Sequence, residues 1–67
     1  MNLGKNIEKY RKKAGLSREK LVIKCGGRFS AVHLARVEGG IVKNPGIGMV
    51  KEIAQALNIK IDQLIGG

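Results

Sequence analysis

Lysine and arginine are the side chains in this sequence that could carry out a binding function, because they are numerous and unevenly placed. The 67 residues carry thirteen of them against five Asp and Glu, which gives a net charge of +8. Residues 1–43 hold eleven basic residues and three glutamates, whereas residues 44–67 hold two basic and two acidic residues. A positive field confined to one part of a chain favours a polyanionic partner, with phosphate contacts supplying most of the affinity. On composition alone, a generic solubilising charge is the alternative.

Catalytic and metal-binding chemistry have no comparable set of residues. Cys25 and His33 are the single Cys and the single His, too few for a metal site, and Cys25 is expected to be a small buried side chain. The sequence has no nucleophile–base pair, carboxylate pair or phosphate-binding glycine loop, so we expect no enzyme, cofactor or small-molecule ligand. One cysteine excludes an internal disulfide, and no apolar run reaches the length of a membrane span. The expected setting is therefore the cytoplasm.

The elements that must position the basic residues are helices. Apolar residues at helical spacing predict a single all-α domain over residues 1–67, without strands. The expected helices cover residues 3–14, 17–25, 30–38, 47–57 and 61–65. The last of them is rich in Ile and Leu, so it either completes the core or offers a surface for a homodimer.

The second and third helices begin with the same sequence signal. Ser17 and Ser30 are expected N-caps, each flanked by an apolar pair in hydrophobic-staple positions, and glycines follow both helices. Two short helices joined by a tight turn, in a chain this basic, are typical of a unit that reads DNA. We count Ser17 among the expected DNA contacts.

The third helix should divide into an inner and an outer face. Leu34 and Val37 are expected to face the core, while Ala31, Val32 and Arg36 lie elsewhere around the helix. Small and apolar side chains near a helix N-terminus permit close approach to a groove, and Arg36 can reach a base edge or a phosphate. The alternative is that Val32 packs in the core.

Three blocks of residues carry a family resemblance. They are Ile7, Arg11, Gly15, Leu16, Ser17, Glu19 and Leu21; Ser30 to Leu34, Arg36, Val37, Glu38 and Gly39; and Asn44, Pro45, Ile47, Ile53, Ala54, Ala56, Leu57, Ile59, Asp62, Gln63 and Leu64. With this order and spacing, the chain resembles the helix-turn-helix domain shared by phage repressors and Cro proteins. The resemblance implies five helices, of which the third enters the major groove of double-stranded DNA.

Roles for individual residues also follow from this resemblance. It implies that Ser30 contacts phosphate, that Ala31, Val32 and Arg36 face base edges, and that His33 lies at the edge of reach.

Three further positions would contact DNA outside the third helix, and two would not. Arg18 would touch the backbone or a flanking base, and Lys43 and Asn44 match a loop that lies along the phosphates. Arg11 and Glu38 match a pair that forms a salt bridge inside the fold.

The chain departs from the family pattern in two places. The connection from Gly26 to Ser30 is about two residues longer than usual, so either Gly27 and Arg28 bulge outward or the turn geometry differs. From such a bulge Arg28 would reach phosphate. In addition, Ala31 and Val32 cannot make bidentate hydrogen bonds to bases, so readout would depend on thymine methyl groups, His33 and Arg36, or on DNA shape.

The function that these observations favour is a DNA-binding transcriptional regulator, repressor-like, acting as a dimer on a two-fold site. The alternative is a protein-interaction module or antitoxin-like protein that uses the same fold with little or no reading of DNA sequence.

Overall fold

The computed structural model describes residues 3–66 and shows five helices. They are α1 (Leu3–Lys13), α2 (Arg18–Lys24), α3 (Ala31–Glu38), α4 (Ile47–Ala56) and α5 (Ile61–Ile65). No strand occurs between residues 3 and 66. The all-α, five-helix prediction is confirmed, and the predicted ranges differ from the observed ones by no more than one residue at each end.

One apolar core lies between the helices, and every helix contributes to it. The buried apolar residues are Ile7, Leu21, Cys25, Leu34, Val37, Val50, Ile53, Ala54 and Leu64. Their spacing of three or four residues within α3 and α4 is the spacing that places side chains on one face of a helix. Leu64 is fully buried, and Asn6 Nδ2 donates to its carbonyl oxygen at 2.8 Å. The last helix therefore completes the core.

The first four helices end in the same way. In each, the residue after the C-cap has a positive φ. The N–H of the following residue donates a hydrogen bond to the carbonyl oxygen five residues earlier, which is the Schellman motif. Three of the ends use glycine, and the fourth uses Asn58 with φ 56°. These ends let short connections reverse the chain, which brings α1, α2 and α3 into contact.

The approach of α1 to α3 depends on the absence of a side chain at Gly4. A Cβ atom placed there would overlap the carbonyl oxygen of Val37 and lie 2.7 Å from that of Glu38. The backbones of the two helices are therefore close enough that only glycine fits without a shift. This contact fixes the C-terminal end of α3 against the first turn of α1.

Candidate nucleic-acid interface

Helices α2 and α3, with the turn between them, form the unit on which the candidate interface is built. Ser17 and Ser30 have extended backbone and accept hydrogen bonds through Oγ, from Lys20 N at 3.1 Å and from His33 N at 3.0 Å. Both predicted N-caps are confirmed. Each hydroxyl group keeps its own hydrogen for a further acceptor, because the cap uses only a lone pair.

The turn between α2 and α3 contains two consecutive residues in the left-handed region. Gly26 has φ 84° and Gly27 has φ 70°, and Gly27 N donates to Val22 O at 2.9 Å. The following side chain, Arg28, is exposed and its Nη1 lies 3.2 Å from Oε2 of Glu52 on α4. An exposed ion pair of this kind contributes little stability, so Arg28 can exchange the carboxylate for another anion at small cost.

The outer face of α3 is apolar at its start and cationic one turn later. Val32 is 63% exposed, whereas Leu34 and Val37 are buried, so the alternative that placed Val32 in the core is wrong. Arg36, four residues after Val32, is exposed as well. Residues four apart share one face of a helix, so an isopropyl group and a guanidinium group are presented side by side.

The side chains around this pair are small or half-buried. Ala31 and Ala35 are partly buried and contribute only methyl groups, and His33 is also half-buried. Nothing bulky on α3 therefore surrounds Val32, and the helix can approach another surface closely at this point. That geometry suits the major groove, because the first turn of α3 has no long exposed side chain and can enter it, while Arg36 lies one turn further along.

A buried carboxylate at the end of α3 holds the unit against α1. Oε2 of Glu38 lies 2.7 Å from Nε of Arg11, and Oε1 accepts from Nη2 of Arg11 at 3.1 Å. Arg11 Nη1 also donates to Leu16 O at 2.7 Å. The salt bridge that the family resemblance implies is therefore present, inside the fold and away from solvent.

Arg18 joins the same carboxylate, which the sequence did not indicate. Its Nε donates to Oε1 of Glu38 at 2.9 Å, and its Nη2 lies 3.8 Å from Oε2 of Glu8. Glu38 thus accepts from two guanidinium groups on different helices. Arg18 was expected to contact DNA, and the structure shows that it also forms ion pairs within the protein.

The connection between α3 and α4 carries the two remaining expected contacts. Lys43 and Asn44 are exposed in this loop, ahead of the half-buried Pro45. On either side of them lie Ile41 and Ile47, two large apolar residues that are mostly exposed. The loop therefore offers both polar groups and an apolar surface.

Cys25 lies against α4, and His33 is half-buried in the first turn of α3. Burial, and secondarily the carboxylate of Glu52, raise the pKa of the Cys25 thiol, whose Sγ lies 3.7 Å from the carbonyl oxygen of Glu52. Within residues 3–66 no group of His, Cys, Asp and Glu side chains could hold a metal ion. No helix in that range is both long enough and apolar enough to cross a membrane.

Comparison with known proteins is consistent with this geometry. The chain matches the family model described as Helix-turn-helix over residues 7–64. It is similar to the HTH-type transcriptional regulator SlrR of Bacillus subtilis (strain 168), with 29% identity over 62 residues. The alignment covers 92% of this chain and 40% of SlrR, so the chain spans less than half the length of that relative. No solved structure matches the chain significantly.

Proposed function

Because the chain belongs to the helix-turn-helix family, we propose that it binds double-stranded DNA with α3 in the major groove and regulates transcription as a repressor. The observation that carries the proposal is the two-sided character of α3. Leu34 and Val37 anchor one face in the core, while Val32 and Arg36 are exposed on another. A net charge of +8, concentrated on residues 1–43, supplies the attraction to phosphate.

Phosphate contacts are assigned to residues around this helix. Ser17 and Ser30 lie at helix N-termini, where N–H groups and a free hydroxyl hydrogen suit an anion. Lys43 and Asn44 would follow the backbone from the α3–α4 loop, and Arg28 would reach it from the turn. These contacts set register and orientation but do not distinguish sequences.

Bases would be read by the outer face of α3. Ala31 and Val32 would lie against base edges, with His33 at the margin and Arg36 able to bond guanine or phosphate. Arg18 remains a proposed backbone contact, in competition with its ion pairs to Glu38 and Glu8.

A homodimer on a two-fold DNA site is part of the same proposal. Ile47 is exposed and lines a groove together with Leu3, Val42 and Ile65, so an apolar surface adjoins the last two helices. Sedimentation of the free protein and of its DNA complex measures the stoichiometry. We also propose that the protein acts in the cytoplasm, where bacterial DNA lies. Its proposed role is to bind DNA without catalysing a reaction.

The test is a binding titration on random duplex DNA at several salt concentrations. Only cationic contacts release counterions, so the four proposed ones give a slope of about −3.6 for each protomer in a plot of log affinity against log salt: Arg18, Arg28, Arg36 and Lys43. Arg28→Ala should make that slope shallower by about one unit for each bound protomer, because each protomer loses one phosphate contact. Lys51→Ala, which removes an exposed cation from the neutral part of the chain, is the matched control and should leave the slope unchanged.

One result would overturn the proposal, and another would remove a single residue from it. Absence of binding to any duplex at about 50 mM salt would favour the protein-interaction or antitoxin-like alternative. An unchanged slope in Arg28→Ala would remove Arg28 from the interface and leave the proposal for α3 intact.

A further inference from the structure

The outer face of α1 carries positive charge that the proposed function does not use. Lys5, Lys9 and Lys13 are exposed and follow one another at intervals of four residues, so they share one side of the helix, which we call the α1 lysine face. The contacts assigned to DNA above use four of the thirteen basic residues, and none of these three is among them. The proposed interface therefore leaves the whole α1 lysine face outside it.

The α1 lysine face points away from the core. At 3.6 residues per turn, Lys9 lies about 140–160° around the helix from each buried residue of α1. Those buried residues are Gly4, Ile7 and Arg11. Lys5 and Lys13 lie one turn before and one turn after Lys9, so the face follows nearly the full length of α1 on its solvent side.

Helices α1 and α3 pack together through the sides that lie opposite their outer faces. Gly4 of α1 lies against the carbonyl oxygens of Val37 and Glu38 at the end of α3. Val32, on the outer face of α3, lies about 140° around that helix from Val37. The two outer faces therefore point in roughly opposite directions. Because the protein measures 26 × 24 × 20 Å, a straight duplex held by α3 does not reach the α1 lysine face.

Neighbouring carboxylates do not balance this charge as they do elsewhere in the fold. Within residues 3–66, neither Lys9 nor Lys13 forms an ion pair. Glu8 is the one acidic residue of α1, and it lies toward α2, where it pairs with Lys12 and Arg18. Like charges four residues apart destabilise a helix slightly, and a surface that serves solubility alone mixes both signs. A face of one sign favours a polyanionic partner.

We propose that the α1 lysine face binds a second DNA duplex, so that one protomer holds two DNA segments on opposite sides. This inference rests on the proposed function, because α3 holds the first duplex. The complementarity is one of charge: duplex DNA carries one negative charge per about 1.7 Å of its axis, and the three lysines follow one another at about 6 Å along α1. Phosphate contacts do not distinguish sequences, so the second duplex can have any sequence.

The salt dependence of the second contact follows from the number of lysines. Three phosphate contacts give a slope of about −2.7 in a plot of log affinity against log salt. Affinity for the second duplex should therefore fall about 40-fold between about 50 and 200 mM salt.

The experiment measures capture of a fluorescent duplex by a different duplex that is immobilised on a surface, with the protein as the only link. Wild type should capture the fluorescent duplex at about 50 mM salt and lose it steeply as salt rises. The triple variant Lys5→Gln, Lys9→Gln and Lys13→Gln should reduce capture at least about tenfold, because all contacts to the second duplex are gone.

The matched control is the triple variant Lys24→Gln, Lys51→Gln and Lys60→Gln. It removes the same charge from three exposed lysines outside α1 and should keep most of the capture. Both variants should bind a single duplex with equal affinity and equal slope, because they share one net charge and retain every contact assigned to the first duplex. Circular dichroism establishes that both variants keep their helices.

The possible results separate the inference from the function beneath it. Equal capture by the two variants would overturn the inference: a homodimer that joins two duplexes through its two copies of α3 would keep capture in both, and loss of charge alone would lower it in both. Failure of wild type to capture a second duplex would also overturn it. So would a lysine-face variant whose slope for a single duplex is shallower than that of the control by about 2.7 for each protomer, since these lysines would then contact the first duplex.

In each of these cases the protein still binds a single duplex, and the proposed function stands. Only failure of wild type to bind any single duplex would overturn the proposed function and the inference together.

Discussion

Removal of the Glu38 carboxylate should destabilise this chain more than loss of any exposed charge. Its side chain is 1% exposed and accepts from two nitrogens of Arg11 and one of Arg18. Glu38→Ala leaves the buried guanidinium of Arg11 without its carboxylate, and breaking a buried pair in this way costs about 3–5 kcal/mol. The total stability of a domain this small is also about 3–5 kcal/mol. The variant should therefore be largely unfolded at 25 °C.

Glu8→Ala is the matched control for this substitution. The Glu8 side chain is 36% exposed and pairs with Lys12 and Arg18 at 3.6 and 3.8 Å. Exposed pairs of such length contribute between zero and about 1 kcal/mol, because water screens them. Both variants remove a carboxylate from the same network of ion pairs. The difference between their losses in free energy of unfolding therefore measures the effect of burying the carboxylate.

The assay is urea unfolding followed by far-ultraviolet circular dichroism. Wild type and Glu8→Ala should unfold in similar cooperative transitions, and Glu38→Ala should show little folded baseline. The double variant Arg11→Met with Glu38→Leu should recover most of the loss, because an apolar pair removes the uncompensated charge. A loss of less than about 1 kcal/mol in Glu38→Ala would refute the reasoning that this carboxylate holds the helices together.

Two further sites give predictions that are independent of DNA. Gly4→Ala should lower the free energy of unfolding by about 2 kcal/mol, because the new Cβ would lie 2.7 Å from the carbonyl oxygen of Glu38. Gly48→Ala places a Cβ with nothing within 4 Å, so it should raise the free energy of unfolding by about 0.5–1 kcal/mol through helix propensity. Urea midpoints compare them, and equal shifts would contradict the close approach of α1 to α3. Cys25 should be alkylated slowly in the folded chain and faster in urea, since burial raises its thiol pKa. Because the folded state retains the thiol proton that the unfolded state loses, the free energy of unfolding should fall as pH rises through the ordinary thiol range. A free energy of unfolding that does not change over this pH range would contradict the prediction.

The helices and their ends were predictable because their causes are local. The spacing of apolar residues, a serine before α2 and α3, and a left-handed residue after each of the first four helices all act over a few residues. The same holds for the burial of Leu34 and Val37, whose three-residue spacing leaves one face of α3 for the core.

The contacts between helices were less accessible from the sequence. Arg18 and Glu38 are twenty residues apart, and no spacing rule relates them. Gly4 appears in the sequence as a residue that weakens its helix, while its contact with two carbonyl oxygens of α3 depends on how α1 lies across that helix. The pair of Arg28 with Glu52 likewise follows from the packing of α4 beside the turn.

The proposed function assigns base selection to the outer face of α3, whereas the inner face holds the helix in the fold, and this separation has a consequence that can be measured. Leu34 and Val37 fix the rotation of the helix by burial, and Glu38 fixes its last turn to α1 and α2. Val32 lies outside those contacts, so its substitution should change the preferred base while the free energy of unfolding stays within about 0.5 kcal/mol. Substitution of Glu38 should instead weaken binding to all sequences equally, because it lowers the folded fraction and leaves the outer face of α3 unchanged.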